Sequence, residues 1–329
     1  MTNLVILSYG RENEYRRAIL AVLSYYAWLS EWDGLERVIV FTDNADFLRP
    51  YLAGLEVEYR ILTPAKILSS REPTGYSHRL KAVVVDEAFQ AYPGDNLLFI
   101  DSDTFIVADP RPLLTQISPT VNFMHVLEYP LQERSNGYES SQFLKLIEKE
   151  TFVTSKGEER YQSSQFSWNS GVLGLSAAIA DYMPDVFLLM DRFYTRSNWS
   201  ISEQLAFALI LQTRSQLLPS DSVVHHYWES SKKLAVDALL TTLLTPNFAE
   251  LALSDKLHIV GPLTKRLPAE ITSFLDTHPE INLREQAIFS LYMRDVKKGY
   301  LLAGKYLLNK PTDTKFIKDV LYYTRRLLS

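Results

Sequence analysis

Cysteine is absent from this 329-residue chain, which excludes disulfides, zinc thiolate sites and thiol nucleophiles together. Nor does any apolar run approach the roughly 20 residues that a bilayer-crossing helix needs. The opening "MTNLVILSYGRENEYRR" turns to charge after a few apolar residues. No signal peptide is therefore expected, and a cytoplasmic location is. Internal repeats and low-complexity segments are missing as well. Charge of either sign is in no great excess: the formal net charge is −5, with 22% charged and 47% hydrophobic residues. That profile is an ordinary globular one with ample material for a core, enough for one large α/β domain or two smaller ones.

The charge is unevenly spread. From Arg284 onward ten basic residues face four acidic ones, so the tail carries +6 and the rest of the chain −11. A nucleic-acid enzyme carries its basic surface near its active site. Here the excess sits at the end of the chain, and nucleic acid is not an expected partner.

Along the first hundred residues, strand-like and helix-like patterns alternate. "NLVILSY", "RVIVFTD", "VEYRIL" and "NLLFI" read as short strands. Between them "ENEYRRAILAVLSYYAWLSEW", "ADFLRPYLAG" and "SHRLKAVVVDEAFQAY" carry apolar residues at helical spacing. Alternation of this kind implies a mainly parallel sheet with right-handed crossovers, whose ligands bind beyond the carboxyl ends of the strands. Further on, "EYPLQERSNGYESSQF" and "TSKGEERYQSSQFSW" read as irregular or lid-like, "GVLGLS" as a strand, and "ISEQLAFALILQ" as a helix begun by a serine cap. "QLLPSDSVVHHYW" reads as a strand and turn, "KLHIVGPLTK" as a strand entering a Gly-Pro loop, and the remainder as helical.

The chemistry gathers in a few places. In "LLFIDSDTFI" an extended backbone puts Asp101 and Asp103 on one face and Ser102 on the other. Two like charges that close repel unless a cation lies with them, and a hard divalent ion such as Mn²⁺ or Mg²⁺ suits oxygen ligands that also reach a substrate phosphate. A polar turn with an N-cap is the plainer alternative. "SHRLKA" offers Arg79 and Lys81 as phosphate contacts, against a solvated helix face. "FSWNSGVLGL" supplies Asn169, able to donate and accept toward a hydroxyl-rich ligand, and Gly171, which permits close backbone approach. A turn before a strand explains the same stretch. Glu203 and Gln204 open a helix, where the dipole alone favours an acid; they would also hold a sugar. His258, followed by Gly261, Pro262 and Lys265, would give one metal nitrogen and one phosphate contact, and the default for any lone histidine is a core or surface role.

In order, these pieces resemble a metal-dependent glycosyltransferase of the GT-A fold, nearest to glycosyltransferase family 8, the glycogenin and bacterial lipopolysaccharide galactosyltransferase group. The likeness runs over residues 1 to 266 through "RL" at 79–80, "LLFIDSDTFI", "WNSGVLGL", "EQ" at 203–204 and "HIVGPLTK". It implies an α/β catalytic domain at 1–266, with a nucleotide-binding half at 1–110 and a sugar and acceptor half at 111–266, then a helical basic extension at 267–329. It implies a UDP-sugar donor lying over Ser8 and Tyr9, and Mn²⁺ (or Mg²⁺) held by Asp101, Asp103 and His258. Arg79, Lys81, Ser102, Gly171 and Lys265 would contact the donor, with Lys265 on the diphosphate. Asn169, Glu203 and Gln204 would surround the donor sugar, and the family retains anomeric configuration. The chain departs from the family pattern in having Glu203 before Gln204, where Asp is usual, and in a longer loop from His258 to Lys265. The doublet His225–His226, with Trp228 and Lys232 close behind, competes for the third metal position; the Gly-Pro turn favours His258.

Two rivals remain. A sugar-nucleotide pyrophosphorylase shares the fold class, but it opens with a Gly-rich phosphate loop that "VILSYGRENE" lacks. A non-catalytic nucleotide- or glycan-binding relative is the other. The acceptor (lipid-linked glycan, protein or small molecule) and the oligomeric state leave no motif. The tail "FIKDVLYYTRRLLS" mixes basic and aromatic residues as membrane-surface segments do, or packs on the body with its charges in solvent.

Overall fold

The computed structural model describes residues 1–29 and 37–328, with side chains to residue 325. The last turn expected for the first helix, 30–32, lies outside the described residues. Strand β1 (Thr2–Ser8) leads through α1 (Glu12–Trp28), β2 (Val38–Thr42), the short α2 (Ala45–Leu48), β3 (Val57–Ile61), α3 (Pro64–Ser69) and α4 (Arg79–Ala91) to β4 (Asn96–Asp101). Next come β5 (Thr104–Ile106), α5 (Arg111–Leu114), β6 (Val121–Met124), β7 (Leu127–Pro130), α6 (Tyr138–Lys149), β8 (Phe152–Thr154), β9 (Gly157–Glu159), β10 (Phe166–Trp168) and β11 (Val172–Leu175). Then follow α7 (Met183–Ser197), α8 (Ser202–Arg214), β12 (Gln216–Pro219), β13 (Val224–His226), α9 (Ser230–Leu243), α10 (Pro246–Glu250) and α11 (Leu253–Thr277). Helices α12 (Pro279–Tyr292), α13 (Val296–Asn309) and α14 (Thr314–Leu328) close the described chain.

Among the described residues the main sheet has seven strands in the order β12-β6-β11-β4-β1-β2-β3. Strands β4, β1, β2 and β3 run parallel, as does β12 beside β6, and β11 is antiparallel to both its neighbours. This is the mainly parallel α/β architecture that the alternating pattern implies. Both faces are covered. Along β4, Leu97 and Phe99 enter one apolar cluster with α4, α7 and α8, while Leu98 and Ile100 enter a second with α1. A strand buried on both sides reads as a continuous apolar run rather than an alternating one, which is why "LLFI" is so plain in the sequence.

The parallel register pairs Leu7 of β1 with Asp101 of β4, so the carboxyl ends of the two strands lie side by side. Polar residues that follow them are delivered to one edge of the sheet.

Several expectations need correction. "KLHIVGPLTK" is not a strand and loop but part of α11, which continues through Pro262 and Pro268. Its apolar residues Leu253, Leu257, Val260, Leu267, Ile271 and Leu275 recur at helical spacing and pack into the α1 side of the core. The side chain of Trp28 adds a hydrogen bond to Thr264 Oγ1 at 2.9 Å. The boundary expected at 266/267 falls inside this helix; a separate small core of Ala287, Ala303, Tyr306 and Phe316 belongs to α12–α14. The irregular middle is ordered as β7, α6 and the β8–β9 hairpin, with Phe143 and Ile147 of α6 in the main core. Helix α8 has no serine cap: Ser202 is its first residue, and its hydroxyl donates to the Trp199 carbonyl at 2.7 Å.

Candidate functional site

Where β4 ends, the chain makes a short turn through Ser102 and Asp103 and continues as β5. Ser102 points to α1, donating to Glu14 Oε2 at 2.7 Å. Asp101 and Asp103 come together across this turn rather than along an extended strand, and His226 at the end of β13 joins them. One ligand atom from each of the three lies within 4.8 Å of the others. Strand β13 pairs antiparallel with β5, His226 opposite Thr104, and that pairing carries the imidazole to the two aspartates.

The orientation of His226 is fixed from behind. Its Nδ1 lies 2.9 Å from Asn169 Oδ1. That oxygen also accepts the Gly171 N–H at 2.9 Å, while Asn169 Nδ2 donates to Glu128 Oε1 at 3.2 Å. The amide is thus oriented with its oxygen toward the ring, so Nδ1 carries the proton and Nε2 keeps its lone pair for coordination. Nε2 stands 3.4 Å from Asp103 Oδ1, too far for a good hydrogen bond. Gly171 makes room for the ring: a Cβ there would lie 2.1 Å from His226 Nδ1 and Cε1.

Two lysines balance the carboxylates. Lys81 Nζ from α4 donates to Asp101 Oδ2 at 2.9 Å and to the Ser170 carbonyl at 3.1 Å, and lies 3.8 Å from Glu203. Burial pushes its ammonium down, but Asp101 and Glu203 outweigh that and raise its pKa. Lys233 Nζ from α9 lies 2.6 Å from Asp103 Oδ2. Burial likewise pushes the Asp103 carboxyl up, yet His226, whenever Nε2 too is protonated, and the Lys233 ammonium hold it well below the usual carboxylate range.

Glu203 behaves differently. It is buried in the first turn of α8, with Oε2 accepting from Ser170 Oγ at 3.2 Å and Oε1 without a hydrogen-bond partner among the described residues. Burial raises its pKa to about 7, against the opposing pull of Lys81. Beside it Gln204 is held at both ends, its oxygen accepting the Ser170 N–H at 3.3 Å and its nitrogen donating to Glu128 Oε2 at 2.9 Å and Ser167 Oγ at 3.0 Å. Asn169, Glu203, Gln204, Gly171, Lys81, Asp101 and Asp103 thus form one connected polar group.

The other expected residues lie elsewhere or at its border. Ser8 is buried at the end of β1 with its hydroxyl unpaired among the described residues, and Tyr9 packs half-buried on the core. Gly10 follows at φ +88°, a conformation that glycine adopts freely, and its N–H reaches the Asp43 carboxylate at 3.1 Å. Arg79 is turned toward α7, where Asp191 accepts from its Nε at 2.9 Å; the Ser70 carbonyl takes Nη1 at 3.2 Å. His258 and Lys265 are exposed on α11. His258 therefore does not complete the group with the aspartates: a helix packed on α1 replaces the loop that would have brought it there, and His226 takes its place.

Glu128 and Lys233 escape the sequence reading. Glu128 stands alone in a stretch without a motif, and Lys233 looks like any solvated lysine on a helix. Only the pairing of β7 with β10 and the packing of α9 on α1 give them their positions.

A set of two carboxylates and one imidazole with a free Nε2 fits a hard or borderline divalent ion. A cavity of about 490 Å³ adjoins it, bordered by Asn169, Gln204, Glu128 and Trp228.

No protein-family model matches the chain, and no curated protein matches it. Solved structures do, at low identity. The chain is similar to mouse xyloside xylosyltransferase 1 in its apo form, 16% identical with a TM-score of 0.43, over 66% of this chain and 85% of that one. It is similar to the glycosyltransferase GlyE of Streptococcus pneumoniae TIGR4, at 10% identity and a TM-score of 0.46, over 79% and 63% of the two chains. The galactosyltransferase LgtC, solved with donor and acceptor sugar analogues, is 12% identical with a TM-score of 0.46, over 79% of this chain and 95% of that one. All three carry the name glycosyltransferase or one of its kinds.

Proposed function

We propose that the chain is a metal-dependent glycosyltransferase of the GT-A type, moving a sugar from a nucleoside-diphosphate donor, UDP-linked in the first instance, to a glycan-bearing acceptor. The observation that carries this reading is the meeting of Asp101, Asp103 and a correctly oriented His226 at the carboxyl edge of the sheet, next to a buried polar group. Asp101, Asp103 and His226 would hold Mn²⁺ or Mg²⁺, which supplies charge neutralisation for a departing diphosphate.

The chain's own residues divide the remaining work. Lys233, already on Asp103, is the cation placed to meet the diphosphate, the role that the family resemblance assigns to Lys265. Lys81 holds the Asp101 carboxylate in place. Asn169 and Gln204 border the cavity and present amides fixed by Glu128, so their remaining hydrogen-bonding capacity faces a hydroxyl-rich ring without a cost for ordering them. Glu203, its pKa raised to about 7 by burial, supports that wall from inside and is about half protonated at neutral pH. Retention of configuration belongs to the same proposal.

Calorimetric titration of UDP, with Mn²⁺ and with chelator, tests it on the unaltered chain and on Asp103→Ala. Micromolar binding that needs both the metal and Asp103 is expected, followed by metal-dependent hydrolysis of one or more UDP-sugars. Failure of UDP to bind, or binding indifferent to chelator, would remove the proposal's basis.

A further inference from the structure

Resting on that reading, we infer that helices α12 and α14 carry the acceptor site, and that the acceptor presents a saccharide ring. The cavity of about 490 Å³ is lined by the polar Glu128, Asn169 and Gln204 and by a set of rings, Phe289 and Tyr292 of α12 and Tyr322 and Tyr323 of α14. Its size lies within the range of small-molecule sites, more than a single hexose fills. Neither Asp101 nor Asp103 lines it; it meets their group through Asn169 and Trp228, whose ring stands 5.1 Å from His226. The diphosphate end of a donor therefore belongs outside this cavity. The donor sugar belongs at its polar border, and the aromatic end is left for the group that receives the sugar.

The two walls match the two kinds of surface on a pyranose. Its hydroxyl edge needs donors and acceptors, which the amides and the Glu128 carboxylate offer. Its C–H face is apolar and packs on aromatic rings, which give large rigid contact at little entropic cost. The rings are arranged as a wall: Tyr322 and Tyr323 meet edge-on at 5.1 Å between centroids, and Tyr323 and Tyr292 at 6.3 Å. Phe289 is 47% exposed and Tyr322 50% exposed, so apolar ring surface remains open to a ligand. Arg134 joins the walls, its guanidinium 4.3 Å from the Tyr129 ring centre and 4.8 Å from that of Phe289. A purely apolar ligand, such as a lipid tail, would cover the donor and acceptor positions that the carboxylate and amides of the polar wall keep beyond their bonds to one another, and leave those positions unpaired.

The C-terminal helices are tied to the site on a second side. Glu285 of α12 accepts from the Ser231 N–H and hydroxyl at 2.8 Å, clasping the first turn of the helix that carries Lys233.

The test screens the full chain, with Mn²⁺ and UDP present, on an array of immobilised glycans, beside the double variant Phe289→Ala/Tyr322→Ala. Both rings are half-exposed, so the variant is expected to melt close to the parent. We expect a subset of glycans to be bound and the double variant to lose about tenfold or more of that affinity, with UDP titrating unchanged. An array with no bound glycan, or one on which the variant binds as the parent does, would overturn the inference while leaving UDP binding and the proposed function standing. Absence of UDP binding in the parent would count against the function instead, and the array comparison would still decide the saccharide site.

Discussion

Replacing Gly171 by alanine tests the site's construction at its tightest point. The added Cβ would lie 2.1 Å from Nδ1 and Cε1 of His226 and 2.7 Å from Nε2, where contacts of 3.4 Å or more are ordinary. Gly171 does not occupy the left-handed region, so the backbone accepts alanine and the whole cost falls on the ring. To clear the methyl, the imidazole must retreat by more than about an ångström, a shift that a close-packed interior resists. Little space is available, with the rings of His125 and Trp228 centred 5.2 and 5.1 Å away. The retreat breaks the 2.9 Å bond to Asn169 and withdraws Nε2 from the aspartates. Overpacking of this kind costs about 1–3 kcal/mol of stability. Losing the partner that orients a metal-bound histidine weakens metal binding by about 10–100-fold. Thermal melting without metal reads the first, and titration of Mn²⁺ followed by the paramagnetic resonance of the free ion reads the second. Because both effects act through one ring, Gly171→Ala added to His226→Ala should cost far less than it does alone. Wild-type Mn²⁺ affinity in Gly171→Ala would refute the reasoning.

Three further outcomes follow from the same contacts. Glu203, raised to about 7 chiefly by burial, holds its proton in the folded chain between pH 4.5 and 7 where the unfolded chain has released it. Stability from this group is therefore full below pH 4.5 and declines as pH rises through 7, by about 3 kcal/mol in all. Glu203→Gln should stabilise the metal-free chain increasingly from pH 5 to pH 8 in denaturant melts, and a pH-independent gap would contradict this. Lys233→Met should lower the metal-free melting temperature, enlarge the stabilisation brought by Mn²⁺ and weaken UDP binding, because the ammonium now neutralises Asp103; a smaller Mn²⁺ shift would contradict it. Arg79→Ala should cost about 1–3 kcal/mol through its bonds to Asp191 and Ser70 while leaving UDP affinity unchanged. A calorimetric loss of UDP binding without loss of stability would return Arg79 to the donor.

The inner strands β1, β2, β4 and β11 are legible in the sequence because they are buried on both faces and therefore stand out as apolar runs. The aspartate pair is legible because two charges at a strand end have few structural reasons to be there. Asn169 and Gly171 are recognisable too, although the physical reason for the glycine, the His226 ring against it, emerges only from the packing. The third residue of the Asp-Asp-His group is misread because Gly261 and Pro262 look like a loop, while the helical spacing of Leu257, Val260, Leu267 and Ile271 around them says otherwise. Local turn chemistry and long-range periodicity disagree there, and burial against α1 decides the matter. Glu128, Lys233 and the aromatic wall of α12 and α14 depend on contacts between segments far apart in the chain, for which one sequence holds no signal.

The most direct test of the cation site is pulsed paramagnetic resonance of Mn²⁺ bound with UDP, read for coupling to a directly bonded histidine nitrogen. The signal should be present in the parent and in His258→Ala and absent in His226→Ala. Its persistence in His226→Ala, or its loss in His258→Ala, would contradict the account.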